Sequence, residues 1–223
     1  MRFSDDDHAR ISAAVARAEH DSDGEIVTIV APKSDSYHDV GLHYAVLAML
    51  LVLPLLAVLP QAWIDWGLGL FLGWNAVVAR GAVMALLFVK LAAVFLLVRY
   101  ALAWMPLRMA LTPASTKNRR VRRRAVELFR VAAEHKTKGR TGVLLYLSLA
   151  EHRAEIVADQ AIHSKVEPDV WGDAMAALVE QVKAGRPGQG MAAAVEKIGA
   201  VLAQHLPPTH DNPNEIPDRL IEL

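Results

Sequence analysis

Residues 141–162 read "TGVLLYLSLAEHRAEIVADQAI", and this stretch decides the fold. Val143 to Leu147 is an unbroken apolar run, the pattern of a strand covered on both faces. Glu151–Arg153 makes a tight turn, and "AEIVAD" returns as the second strand of a hairpin. A lone hairpin is marginal in water, so the rest of the chain must supply another strand and covering helices.

Both are legible. "EIVTIVAP" (25–32) is a strand: Ile26, Val27, Ile29 and Val30 are β-branched, and Pro32 ends it. Ahead of it, Ser4 and the acids Asp5 to Asp7 suit a helix N-cap and first turn, where free N–H groups favour oxygen and negative charge. Ile11, Val15 and Ala18 then fall on one helical face, and Asp21–Gly24 stops the helix. "STKNRRVRRRAVELFRVAAEHK" (115–136) predicts a basic helix with Val121, Ala125, Leu128 and Phe129 on its apolar face. "DVWGDAMAALVEQVKAG" (169–185) and "MAAAVEKIGAVLAQHL" (191–206) predict two more helices, with "RPGQG" as a loop between them. The tail is proline-rich and reads as extended.

The segment between the two strand regions has another character. Leu42 to Leu59 carries no charged side chain. A helix rises 1.5 Å per residue, so roughly 20 apolar residues cross a hydrocarbon core of about 30 Å. Pro54 is tolerable in such a span. Ala82–Trp104 predicts a second span, with Lys90 near its centre. An ionised lysine there costs on the order of 3 kcal/mol on insertion scales. Between them, Trp63, Trp66 and Trp74 favour the headgroup interface, while Asp65, Asn75 and Arg80 oppose a third crossing.

The expected architecture is α/β: a small sheet flanked by helices, interrupted by a two-helix transmembrane hairpin. Residues 1–36 supply its first helix and strand, 37–108 the hairpin, 109–207 the remainder of the domain and 208–223 the extended tail. Arg108, Lys117 and the arginines at 119–124 follow the second span, whereas the connection between spans holds only Arg80. The positive-inside rule then predicts a cytoplasmic domain in a bacterial inner membrane, with both termini cytoplasmic.

Composition narrows the function classes. The chain has 223 residues, 53% apolar, with 24 basic and 24 acidic side chains. A mean hydropathy of +0.24 suits a mixture of soluble and membrane segments. The zero net charge gives no global sign of nucleic-acid binding. The absence of cysteine excludes disulfides, cysteine metal ligands and thiol nucleophiles. Residues 1–25 are charged and polar and do not read as a signal peptide.

Candidate chemistry is sparse. Asp159 ends the second hairpin strand, and carboxylates at strand ends often line clefts, so it is the first metal or acid candidate; the bland alternative is a cap on the next helical turn. "SDDD" suits a helix cap better than a cation site, because adjacent side chains diverge around the helix. The histidines show no HxxxH or HExxH spacing, and no GxxxxGK[ST], GxGxxG or GxSxG motif occurs. Ser148 and Trp171 read as packed residues. Arg119, Arg120, Arg122, Arg123 and Arg124 lie close to a span end. Anionic lipid there contributes about 1 kcal/mol per basic residue, so lipid contact is expected rather than RNA.

The chain resembles the TPM domain family in "TKGRTGVLLYLSLAEHRAEIVAD", in Trp171 and in "VKAGRPGQGMAAAVEKIGAVLAQHLP". The resemblance covers about residues 117–207, with a weaker extension over 8–31. It is similar in particular to a bacterial membrane subgroup in which a hairpin of spans interrupts the domain. The resemblance implies an α/β sandwich. It also implies acid phosphatase activity or calcium binding, as assigned to some members. Two functions are therefore expected. One is a non-enzymatic protein-interaction or envelope-maintenance module, partnered by another membrane or envelope protein and needing no cofactor. The other is a membrane-tethered phosphatase using calcium or magnesium.

Overall fold

The computed structural model describes residues 3–74, 79–132, 141–166, 168–209 and 216–223. It divides into two units, residues 1–35 with 113–223, and residues 36–112.

The first unit is built on a four-stranded sheet. β1 (Glu25–Ala31) lies parallel to β2 (Gly142–Ser148), in register from Glu25 opposite Gly142 to Ala31 opposite Ser148. β3 (Arg153–Ala158) returns antiparallel on β2. The fourth strand, β4 (Leu220–Glu222), comes from the tail and runs parallel to β1, giving the order β3-β2-β1-β4. The tail's extended backbone is thus a sheet edge rather than a free end. Its signal is short: Leu220 and Ile221 are its two apolar residues, and Leu220 turns into the core.

β1 and β2 are buried throughout because helices cover both sheet faces. One face holds α1 (Asp5–His20), α8 (Gly172–Lys183) and α9 (Pro187–His205), joined through Ile11, Val15, Ile26, Leu145, Leu178 and Ile198. α6 (Ala114–Ala132) covers the other, where Val121, Ala125 and Phe129 meet Val27, Ile29, Leu144 and Tyr146. The short α7 (Gln160–His163) and a 3-10 turn (Pro168–Trp171) link β3 to α8.

The cap of α1 forms as its sequence dictates. Ser4 Oγ accepts the Asp7 N–H at 3.1 Å, and the Asp7 carboxylate accepts the Ser4 N–H at 3.0 Å. "RPGQG" departs from expectation: it opens α9 rather than forming a loop. Proline at the first helical position loses an N–H that has no intrahelical partner anyway. Gly190 is required by proximity, since a Cβ there would lie 2.9 Å from the Leu178 carbonyl oxygen of α8.

The second unit contains α2 (His38–Val58), α3 (Gln61–Leu72), α4 (Arg80–Ala101) and α5 (Met105–Leu111). α2 packs against α4. Both are long and apolar enough to cross a membrane. Their outer surfaces are apolar: Leu55 is 61% exposed, Phe88 71% and Leu97 70%. The base of the hairpin is polar and ordered. Buried Arg108 donates from Nε to the Leu102 carbonyl at 2.7 Å and from Nη1 to the Ser36 carbonyl at 2.5 Å. Tyr37, Val40 and Met109 close a small apolar cluster beside it.

Candidate functional site

Three places in the first unit carry chemistry. The first is at the carboxyl ends of parallel β1 and β2, where open α/β sheets commonly bind ligands. Ser148 Oγ donates to the buried Glu151 carboxylate, whose other oxygen accepts the Ser34 N–H at 2.8 Å. Ser34 Oγ and Tyr146 Oη lie 2.9 Å apart. Burial raises the Tyr146 phenol above its ordinary range. Next in sequence, Asp35 takes Arg120 at 3.1 Å and Arg123 at 3.6 Å. Each hydroxyl and carboxylate here is engaged with a neighbour. The arrangement fixes residues 34–35, where the chain leaves the sheet, to the first half of α6.

The second is at the opposite sheet end. Glu19, at the end of α1, is only 8% exposed and accepts the Ile26 N–H at 2.7 Å. Its pKa is pushed up to about 9, first by burial, then by the charges of Glu25 and Asp218. Glu19 is therefore neutral near pH 7. Glu25 Oε2 accepts the Ile216 N–H at 3.2 Å. Glu25 of the α1–β1 segment thus holds the tail that forms β4. Sequence reasoning missed Glu19: "AEHDSDGE" reads as a polar helix end, and its burial comes from packing between distant segments.

Asp159 lies at this same end, on the next strand connection. Its backbone N–H donates to the Gly142 carbonyl at 2.9 Å, and its Oδ2 accepts the Gly142 N–H at 3.3 Å. It precedes α7, but its side chain does not cap that helix. Its carboxylate ties the two ends of the hairpin together. No group of three or more metal-ligating side chains stands together among the described residues.

The arginines of α6 divide by partner. Arg120 and Arg123 meet Asp35, Arg122 meets Glu155 at 3.5 Å, and Arg124 meets Glu127 at 3.5 Å. Arg119 is exposed. Lys136, Lys138, Arg140, His135 and His210 lie outside the described residues.

The third place is a cleft of about 430 Å³ between the β2–β3 turn and α8. Leu147, Leu149, Leu178 and Val182 form its walls, with His152, Arg153 and Lys183 among its lining. His152 adopts a left-handed backbone, φ 51°, to complete the tight turn.

The TPM domain family model matches residues 107–201. That match excludes α1, β1 and β4, which the structure adds to the same unit. The NMR structure of the BA42 protein from the psychrophilic bacterium Bizionia argentinensis aligns with a TM-score of 0.57 at 17% identity. The alignment covers 100% of this chain and 97% of that one, a likeness of fold. No curated protein matches the chain.

Proposed function

We propose that this chain, which carries a TPM domain, is an integral protein of the bacterial inner membrane whose cytoplasmic TPM domain is a protein-interaction module for another envelope protein. The observation that carries the membrane reading is the apolar exterior of α2 and α4. Neither helix has a core to bury its outer face in, and an exposed apolar surface on that scale calls for lipid or protein. Topology limits the count of crossings. β1 precedes the apolar segment and β2 follows it, yet the two pair in one sheet. The chain between them must therefore cross an even number of times. α2 and α4 make two crossings. α3 has 12 residues, or roughly 18 Å of helix, and is too short for a third. Basic residues clustered after α4 favour the cytoplasm for the sheet.

Engaged polar groups support the interaction role over hydrolysis. Glu151 and Asp159, the carboxylates that flank β3, both accept backbone N–H groups. The phosphatase alternative rests on the family resemblance. It requires the reconstituted chain to hydrolyse a generic phosphate ester when calcium or magnesium is supplied.

Because the chain contains no cysteine, single substitutions report topology directly. Lys165→Cys, in the sheet unit, should react with a membrane-impermeant maleimide only after the inner membrane is breached. Gln61→Cys, at the start of α3, should react in spheroplasts. Labelling of Lys165→Cys in intact spheroplasts reverses the orientation. Labelling of both positions from soluble extracts removes the membrane reading.

A further inference from the structure

We infer that the cleft between β3 and α8 binds the carboxyl-terminal end of a partner polypeptide, taken as an added strand on β3 with an apolar last residue. The inference deepens the interaction-module reading by naming the partner's chemistry, and it does not depend on the hairpin's orientation.

The argument starts at the sheet edge. Among the described residues β3 pairs with β2 alone, and the order β3-β2-β1-β4 leaves its far side as an edge. The ladder's phase follows from Asp159, whose N–H meets the Gly142 carbonyl. Antiparallel pairs alternate between bonded and non-bonded positions, so Val157, Glu155 and Arg153 exchange their bonds with β2. Ala154 and Ile156 then turn their N–H and C=O groups outward, and among the described residues nothing takes them. An unpaired edge of this kind is a template for another strand. Alternation along the strand also sets the side chains: Ala154 and Ile156 face the α8 side, packed against the core there. Ala154 therefore both lines the cleft and offers outward backbone groups, with Ile156 next along the same edge.

The cleft fits a chain end. Its walls are leucine and valine, wide enough at about 430 Å³ for one or two apolar side chains. Among the described residues its ionisable lining is basic: His152 and Arg153 at the turn that precedes β3, and Lys183 at the end of α8. No acid lines it. A strand added antiparallel to β3 would bring its last residue to the Arg153 end, beside these basic groups. An apolar side chain would enter the pocket, and the terminal carboxylate would meet the basic groups. Strand addition of this type draws affinity from main-chain hydrogen bonds and specificity from the pocket.

The test uses the full chain in lipid nanodiscs, with empty nanodiscs as the blank. The probe is a pool of fluorescein-labelled octapeptides, randomised except for a last residue of valine, leucine, isoleucine or phenylalanine. It is offered once with a free carboxylate and once as the terminal amide. Saturable binding of the acid, weakened about tenfold or more in the amide, is expected. Lys183→Glu, at an exposed position, should weaken the acid and leave the amide unchanged. Val179→Trp, from a position 38% exposed on the cleft wall, should abolish both while the melting temperature holds. Equal binding of acid and amide overturns the proposal, as does the lack of saturable binding up to about 1 mM. Saturable uptake of dodecanoate without peptide binding also overturns it, in favour of a lipid anion. The cysteine labelling above reads orientation separately, so either result can fail without the other.

Discussion

Glu19 shows how one residue acquires a property that its local sequence does not carry. It lies near the end of an amphipathic helix whose other polar residues are all at least partly exposed. Burial and two neighbouring carboxylates keep it protonated, with a pKa near 9 against 4.5 in the open chain. The sign of the consequence follows from linkage. Below pH 4.5 folded and unfolded forms both hold the proton. Above it the unfolded form releases the proton first, so the folded state loses relative stability as pH rises from about 4.5 to about 9. Glu19→Gln keeps an oxygen for the Ile26 N–H and cannot ionise. Thermal unfolding of the variant should lose much of the decline seen in the wild type across that window, and the variant should be the more stable of the two at pH 8. An unchanged slope would assign the decline to other groups.

Asp159 and Ser148 make the converse case at the same scale. Both were visible as polar residues at the hairpin, and the structure gives both local hydrogen bonds. Their positions were legible because hairpin phase fixes them. Their partners were not, since Glu151 also takes the Ser34 N–H from a segment more than a hundred positions earlier.

Among elements, periodicity recovered whatever was long and apolar. β2 is buried on both faces, and its sequence shows this as a continuous run; α6 separates an apolar stripe from an arginine face. What escaped depends on contacts between elements. Residues 186–190 looked like a loop because glycine and proline usually mark one, but these glycines let α9 lie close to its neighbours. Gly199 belongs to the same seam: a Cβ there would stand 2.5 Å from Cβ of Ala18, on α1. Gly199→Val should therefore force α1 and α9 apart. Overpacking of this kind costs about 1–3 kcal/mol. Chemical denaturation of the full chain should show that loss with an unchanged m-value, whereas stability equal to wild type would mean that the crossing can widen freely. Gly185→Ala makes a useful contrast. That glycine sits at φ 76° with open space around it, so any cost there is backbone strain alone.

For the whole molecule, the governing fact is that one sheet is assembled from strands on either side of the apolar segment. β1 and β2 are adjacent in space and more than a hundred residues apart in sequence. The need for such pairing was readable from the sequence, because neither β1 nor the β2–β3 hairpin is stable alone. The fourth strand was not, because three residues are too few for a pattern. Closing the gap should leave a unit that folds without its hairpin. Asp35, the last residue before the apolar segment, reaches Arg120 at 3.1 Å, and Arg120 lies about two turns into a helix that starts at Ala114. The ends to be joined are therefore within roughly 20 Å, a span that eight flexible residues cover, with an r.m.s. reach of about 15 Å. Replacing residues 36–112 with eight Gly and Ser residues should yield a soluble monomer with one cooperative unfolding transition. It should also retain the Glu19-dependent pH slope, to which burial and Asp218 of the docked tail both contribute. A soluble product without the slope would mean that the tail docks only when the hairpin is present. An aggregated one would show that the apolar segment helps to hold the sheet together.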